Sequence, residues 1–335
     1  MNILFTCAGR RNYLINYFKE ALNGKGNIIA ADKQLTAPAL VDADIARKVP
    51  SINSPDYIDA LRKIILEEKV NAIISLNDLE LPVLSKNKEK LELSGAKLII
   101  SNERIIDIAF DKWKTYNFFK LHKIATPKTY KSLDEALVGL NNSEINFPLI
   151  VKPRWGSASI GIDSVDSKEE LILSYNLNIE KLKKGGPEKG NFNRPYESIL
   201  VQEKIIGEEY GIDILNDFDG NYYDSFVRQK LVMRSGETDK AVSVIDEKFS
   251  RIAKKVSLHS GHIGNMDCDF FVKDEKVYFL EMNPRFGGGY PFSHQAGINT
   301  PGIYIDWLNG VKDVKRHNNY LPNLSFAKCD RLIKI

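Results

Sequence analysis

Cysteine is scarce in this chain of 335 residues: Cys7, Cys268 and Cys329 are odd in number and far apart. That spacing offers neither a zinc motif nor a disulfide framework, and it implies reduced thiols in a cytoplasmic protein. A charge excess of one sign is also lacking, since 47 Lys and Arg stand against 44 Asp and Glu, a formal charge of +3. That is too little to argue for a nucleic acid or a membrane surface as partner. No apolar run approaches the length of a membrane span, and the apolar start of MNILFTCAGRR is too short for a signal peptide. The glycine fingerprint of a dinucleotide fold is missing, because TCAGRR has one glycine where G-x-G-x-x-G needs three. There is no internal repeat, and no Ser-His-Asp or Cys-His constellation is visible. His262 and His294 are acid–base candidates by type, but a lone histidine is more often structural.

What remains is the composition of an ordinary soluble globular protein, with 43% hydrophobic and 27% charged residues. The length suffices for two or three domains with substantial cores. Over the first hundred residues strands alternate with helices. Residues 2–5 (NILF) read as a strand. A turn at Cys7 to Gly9 leads to a helix with Tyr13, Leu14, Tyr17, Phe18 and Leu22 at helical spacing. A second strand ends in Asp32. Helix 57–68, strand 72–75, helix 80–91 and strand 97–100 follow. This alternation predicts a doubly wound parallel, Rossmann-like sheet, whose ligands sit at the carboxyl ends of the strands. Those ends carry Thr6 to Arg11, Asp32, and Asn77 to Glu80. Arg10 and Arg11 are either an anion site at a helix N-terminus or a solvated pair. Asn77, Asp78 and Glu80 either cap the next helix or hold an amine.

Residues 103–121 predict one helix with Ile105, Ile108, Ala109, Trp113 and Phe118 on its apolar face. A strand, FPLIVKP, then carries Lys152 into the small-residue loop RWGSASIGI. A point charge beside close backbone N–H groups is what a polyphosphate needs, although a plain hairpin turn has the same look. The segment 183–195, KKGGPEKGNFNRP, is the richest loop candidate. From Gly211 onward the pattern is antiparallel, with a turn at Asp219 and Gly220. Arg228, Lys230 and Arg234 alternate there, so period two puts them on one face, solvated or aimed at a site. Near the C-terminus DCDFFVKDEKVYFLEMNPRFGGG reads as a hairpin turning near 273–276. Asp269 on one strand and Glu281 and Asn283 on the other then converge as an all-oxygen set of the kind Mg2+ takes when phosphates complete its shell. Arg285 and the glycines after it suit a phosphate or carboxylate beside a metal. A solvated acidic hairpin end is the alternative.

The run DFFV...FLEMNPR resembles the magnesium-binding end of ATP-grasp enzymes, in particular the half-domains of the carbamoyl phosphate synthase large subunit and related carboxylate–amine ligases. The resemblance covers about residues 1–310. It implies a pre-ATP-grasp α/β domain over 1–108, a small lobe with a phosphate loop over 109–195, and a large α+β lobe with the metal site over 196–310. A tail, 311–335, adds an edge strand or a contact. The Asp111–Lys112 pair matches the family's lysine to ATP, with Lys114 as substitute. Gly156, Ser157, Ala158, Ser159 and Gly161 match its phosphate-covering loop, with Ala158 where glycine is frequent. Glu203, Lys204 and Ile206 match the adenine hinge, and Glu209, or Glu208 one residue earlier, the ribose acceptor.

The same resemblance implies ATP with Mg2+ (or Mn2+) on Asp269, Glu281 and Asn283. Lys152, Lys112, Arg228 and Lys230 would serve the transferring phosphoryl group, with Gly236 and Lys240 joining that loop, and Arg285 would hold an acyl phosphate. The products are an amide, ADP and phosphate. Arg10, Arg11, Asn77 and Asp78 then face small carboxylate and amine substrates. A homodimer is common in the family. Two alternatives stay open: acyl phosphate or carbamate chemistry without an amine, and a non-catalytic nucleotide-binding protein.

Overall fold

The computed structural model describes residues 1–156, 161–184 and 197–335. The first five strands, all short, are β1 (Ile3–Thr6), β2 (Ile28–Asp32), β3 (Ile45–Lys48), β4 (Ala72–Ser75) and β5 (Lys97–Leu98). The central three, β1, β2 and β4, are almost wholly buried, as expected of strands covered on both faces. The five form one parallel sheet in the order β3-β2-β1-β4-β5. The chain leaves β1 toward one edge and returns at β4 on its other side, so the switch point opens between the carboxyl ends of β1 and β4. Ile3 and Ile28, then Ile3 and Ala72, are register partners, and all four residues of β1 are buried.

Several elements differ from the sequence pattern. Strand β3 and the helix Pro38–Asp42 were not predicted. IARK alternates half-buried and exposed residues over one short edge strand, too weak a signal to separate from a loop. The helix expected over 80–91 is two pieces, Leu81–Lys86 and Lys88–Glu92, because the Asn87 side chain donates to the Val83 carbonyl and ends the first piece.

Strands β6 (Thr129–Tyr130), β7 (Leu149–Pro153), β8 (Asp163–Val165) and β9 (Ile199–Glu203) make an antiparallel sheet in the order β6-β9-β7-β8. Leu149, Val151, Ile199 and Val201 bury its inner face against Leu171, Tyr175 and Ile179 of the helix Lys168–Lys184. The largest sheet holds β10 (Glu208–Asn216), β11 (Tyr222–Arg234), β12 (Glu237–Val244), β13 (Gly264–Lys273), β14 (Lys276–Asn283) and β15 (Ser325–Ala327). Its order is β14-β13-β10-β11-β12-β15, antiparallel throughout. The tail thus adds an edge strand. It also ties distant parts together: Lys328 pairs with Glu237, Asp330 with Arg234, and Arg331 with Asp42.

One core unites the first and third sheets. Phe5, Phe18 and Ile28 pack with Leu215, Phe226, Phe286, Tyr290 and Tyr304, which fixes the carboxyl ends of the parallel strands over the end of the β13–β14 hairpin. No helix among the described residues is long and apolar enough to cross a membrane.

The single helix predicted over 103–121 is also two, Glu103–Phe110 and Lys112–Leu121. Asp111 between them is extended at φ −108°, ψ 106°. Its carboxylate accepts from the Trp113 and Lys114 backbone N–H groups and from Nε and Nη2 of Arg154 at 2.8 and 2.6 Å. A capping carboxylate that is also an ion-pair partner outweighs one turn of helix. Asp111→Ala removes both roles at a site 3% exposed. The expected loss of stability is about 2–4 kcal/mol by urea unfolding.

Candidate active site

The β13–β14 hairpin turns between Lys273 and Lys276, which are register partners. Asp267 then lies opposite Asn283 and Asp269 opposite Glu281. With period two, all four side chains occupy one face. They line a cavity of about 290 Å3 together with Arg11, Asn77, Asp78, Lys112, Gly156, Arg228, Lys230, Glu237 and Arg285. Asp267 was not singled out in the sequence, yet D-C-D carries the signal: residues two apart on a strand share a face.

Asp269, Glu281 and Asn283 present oxygen only, the donor set of a hard divalent cation. Among the described residues no group of three or more His, Cys, Asp and Glu side chains could hold a metal ion. A cation here therefore needs donors from a bound substrate, which fits the way Mg2+ is held by one or two carboxylates and phosphates. Burial pushes the Asp269 carboxyl up to about 6, with Lys230 acting against the shift. Lys230 Nζ lies 2.8 Å from both Asp269 and Glu209, and its side chain is 5% exposed.

Arg228, Lys230 and Arg234 do not share a face. Irregular pairing of β11 with β12 between Lys230 and Met233 breaks the alternation. Arg234 turns outward to Asp239 and Asp330, while Arg228 is buried at 1% exposure. Arg228 Nη1 donates to Asp213 and Nη2 to Asp267, each at 2.6 Å. Burial works against its charge, and Asp213, Asp267 and Asp269 more than offset that, holding its pKa above the ordinary range. In this arrangement Arg228 orients Asp267 with both Nη atoms engaged, while its buried Nε has no hydrogen-bond partner among the described residues. Its bulk sets the neighbouring sequence: a Cβ on Gly211 would lie 2.9 Å from the guanidinium, and one on Gly289 within contact of Nε. Asp213, missed in the sequence, also accepts from Ser293 and Asn265.

Lys112 Nζ donates to the Gly156 carbonyl at 2.6 Å. Lys152 is 7% exposed and donates to Gln202, which donates in turn to Thr129. Burial and the Lys112 charge bring the Lys152 ammonium down to about 8, with Glu281 opposing. Gly161 follows the loop at φ +75°. Ser157, Ala158 and Ser159 lie outside the described residues.

Of the other expected positions, some fall away from the cavity and some line it. Glu203 accepts from the Lys128 N–H, Lys204 reaches Ser164, and Ile206 is 66% exposed; none of the three lines the cavity. Glu209 faces Lys230, while exposed Glu208 accepts from the Tyr210 hydroxyl. Arg10 is exposed and Arg11 lines the cavity, donating to the Tyr13 hydroxyl and lying 3.9 Å from Glu237. Asn77 accepts from the Leu79 N–H as a local turn, and Asp78 pairs with Arg285 at 2.5 Å. Glu80 does not cap its helix. Its fully buried carboxylate accepts from Thr6, Ser75 and Tyr57. His262 bonds Ile214 and Ser260, and His294 stacks on Tyr17. Burial pushes both down to about 4, so both are neutral structural groups.

Removing Arg228 leaves two buried carboxylates without their cation. Arg228→Met is expected to cost about 3–5 kcal/mol in urea unfolding, far more than a surface arginine.

Known proteins bear on this arrangement in three ways. A family model for PylC-like N-terminal domains matches residues 3–99, and one for the ATP-grasp domain matches 109–289. The formate-dependent phosphoribosylglycinamide formyltransferase of Prochlorococcus marinus (strain NATL2A) is 26% identical over 282 residues, 82% of this chain and 66% of the relative. The carbamoyl phosphate synthase large chain of Campylobacter jejuni is 27% identical over 288 residues, 81% of this chain and 25% of the relative. The chain thus spans just under two thirds of the one and a quarter of the other. Two solved structures share the fold, each at 18% identity over 97% of this chain. The biotin carboxylase domain of Hydrogenobacter thermophilus 2-oxoglutarate carboxylase gives a TM-score of 0.74 over 73% of its own length. The L-amino acid ligase of Bacillus licheniformis gives 0.71 over 79%. With the ATP-grasp model matching more than half of its length across the strands that build the cavity, this chain belongs to the ATP-grasp family.

Proposed function

We infer that the protein is an ATP-dependent carboxylate–amine ligase that activates a small carboxylate as an acyl phosphate and yields an amide, ADP and phosphate. The observation that carries this reading is the meeting, in one cavity, of the oxygen set Asp269, Glu281 and Asn283 with the cations Lys112, Lys230 and Arg285. For this purpose we divide the chain at 108, 195 and 310, with a homodimer in the cytoplasm as its setting.

Bound MgATP supplies the phosphoryl group, with the metal on Asp269, Glu281 and Asn283 lowering the charge between the phosphates. Lys112 and Lys152 place positive charge beside the phosphates, and the backbone of Gly156 lies against them. Lys230, already aligned by Glu209 and Asp269, faces the group in transfer. Arg285 holds the substrate carboxylate and then its acyl phosphate. Arg228 is assigned the positioning of Asp267. No side-chain nucleophile is required; the work is placement and charge.

The direct test supplies MgATP with pooled small carboxylic acids and pooled amines. ADP and phosphate that depend on both pools support the ligase. ADP that depends on the acid or bicarbonate alone indicates release of the acyl phosphate, and AMP with pyrophosphate overturns the reading. Glu281→Gln is expected to lower turnover at least about 100-fold with an unchanged unfolding midpoint. The Lys152 ammonium sets a pH dependence. The charged form binds phosphate, so MgADP affinity is expected to hold steady below about 8 and fall as pH rises through that value. Lys152→Arg flattens this fall in a calorimetric pH series.

A further inference from the structure

Arg285 is nine-tenths buried, with two carboxylates of unequal standing within 4 Å and Glu281 acting on it from farther off. Asp267 lies 3.7 Å from Nη1, beyond hydrogen-bond reach, and its charge is already engaged by Arg228 at 2.6 Å. Asp78 contacts Nη2 at 2.5 Å, and Arg285 is the one charged partner of Asp78 among the described residues. The two come from different parts of the fold, Asp78 from the loop after β4 and Arg285 from the end of β14, and both line the cavity. A buried guanidinium left without an anion is costly, so a site that must later receive one needs a counter-ion in the meantime. A side-chain carboxylate has the shape and charge of the group that the ligase reading places on Arg285.

The position of Asp78 is enforced from behind. Glu80, two residues on, is fully buried and accepts from Thr6 at the end of β1, Ser75 at the end of β4, and Tyr57. Asn77 closes a turn onto the Leu79 N–H. Residues 77 to 80 are thus bonded down on both sides of Asp78, which leaves its carboxylate pointed across the cleft. Such a tight constellation is more than a helix start requires, since Glu80 gives no side-chain bond to the helix that follows it.

We propose that Asp78 is an internal counter-ion that the carboxylate or acyl phosphate of the substrate displaces from Arg285, with Glu80 as the positioning residue that holds Asp78 there. The proposal rests on the ligase reading. It makes Asp78 a selective element: a ligand must out-compete a preformed ion pair, so weakly anionic or neutral molecules do not gain Arg285. Apparent affinity for the anion is lowered by the fraction of Arg285 that Asp78 keeps occupied.

The test is calorimetric titration of the full chain, saturated with MgADP, using acetyl phosphate as the probe. Asp78→Asn is expected to bind acetyl phosphate about tenfold more tightly than the native protein, each compared at a MgADP concentration that saturates it, because the Asp78 charge also acts on Lys112. The gain disappears when Arg285→Gln is added. Glu80→Gln changes acetyl phosphate affinity in the native background and has no effect in the Asp78→Asn background, a pattern that loss of packing alone does not produce. An Asp78→Asn protein that binds MgADP but shows no tighter acetyl phosphate binding overturns the proposal, as does a gain that survives Arg285→Gln. Failure of the native protein to bind MgADP overturns the ligase reading itself.

Discussion

Charge taken out of water must be answered by charge, and that constraint organises this molecule. Asp213, Arg228, Asp267, Arg285 and Asp78 run as a line of alternating sign from beneath the large sheet to the loop after β4. Its buried middle has no solvent to fall back on, so each member fixes the next. Gly211 and Gly289 leave room for Arg228, and Gly287 leaves room for Asp267. Two sheets that pack through apolar residues alone could slide; the ion line sets their register at the cavity.

The parts legible in the sequence are those where side-chain chemistry and local period agree. β4 matches its expected bounds because three apolar residues and a buried serine sit between turn signals. The hairpin is legible for the same reason: an acid on each strand, a polar turn between them, and a bulge after Asp269 that still leaves Asp269 opposite Glu281. The family resemblance then agrees with the domain model over 109–289. The parallel sheet was expected from alternation alone and is present, with β3 as an edge strand that the alternation did not show.

The rest depends on contacts that period cannot express. Asp111 reads as one more polar residue on a helix until Arg154, 43 residues away, gives its carboxylate a second task. Arg234 parts from Lys230 because pairing with β12 slips, a property of two strands and not of one. Glu80 looks like a helix cap in NDLELP. Only the topology brings Thr6, Tyr57 and Ser75 to it. Glu203, Lys204 and Ile206 were placed by resemblance to a hinge that holds adenine by backbone groups, an expectation on which their side chains, at the Lys128 N–H, Ser164 and solvent, do not bear.

The closing strand has a bearing on biosynthesis. β12 supplies Glu237 and Thr238 to the cavity, and its outer edge is completed by residues 325–327. Among the described strands, β15 is the last that a ribosome delivers. Until they emerge, β12 remains an open edge, able to pair with another chain, and Glu237 lacks its Lys328 partner. The edge of β12 is therefore covered after the other described strands exist, so a nascent chain can hold those strands before the strand beside the cavity is closed.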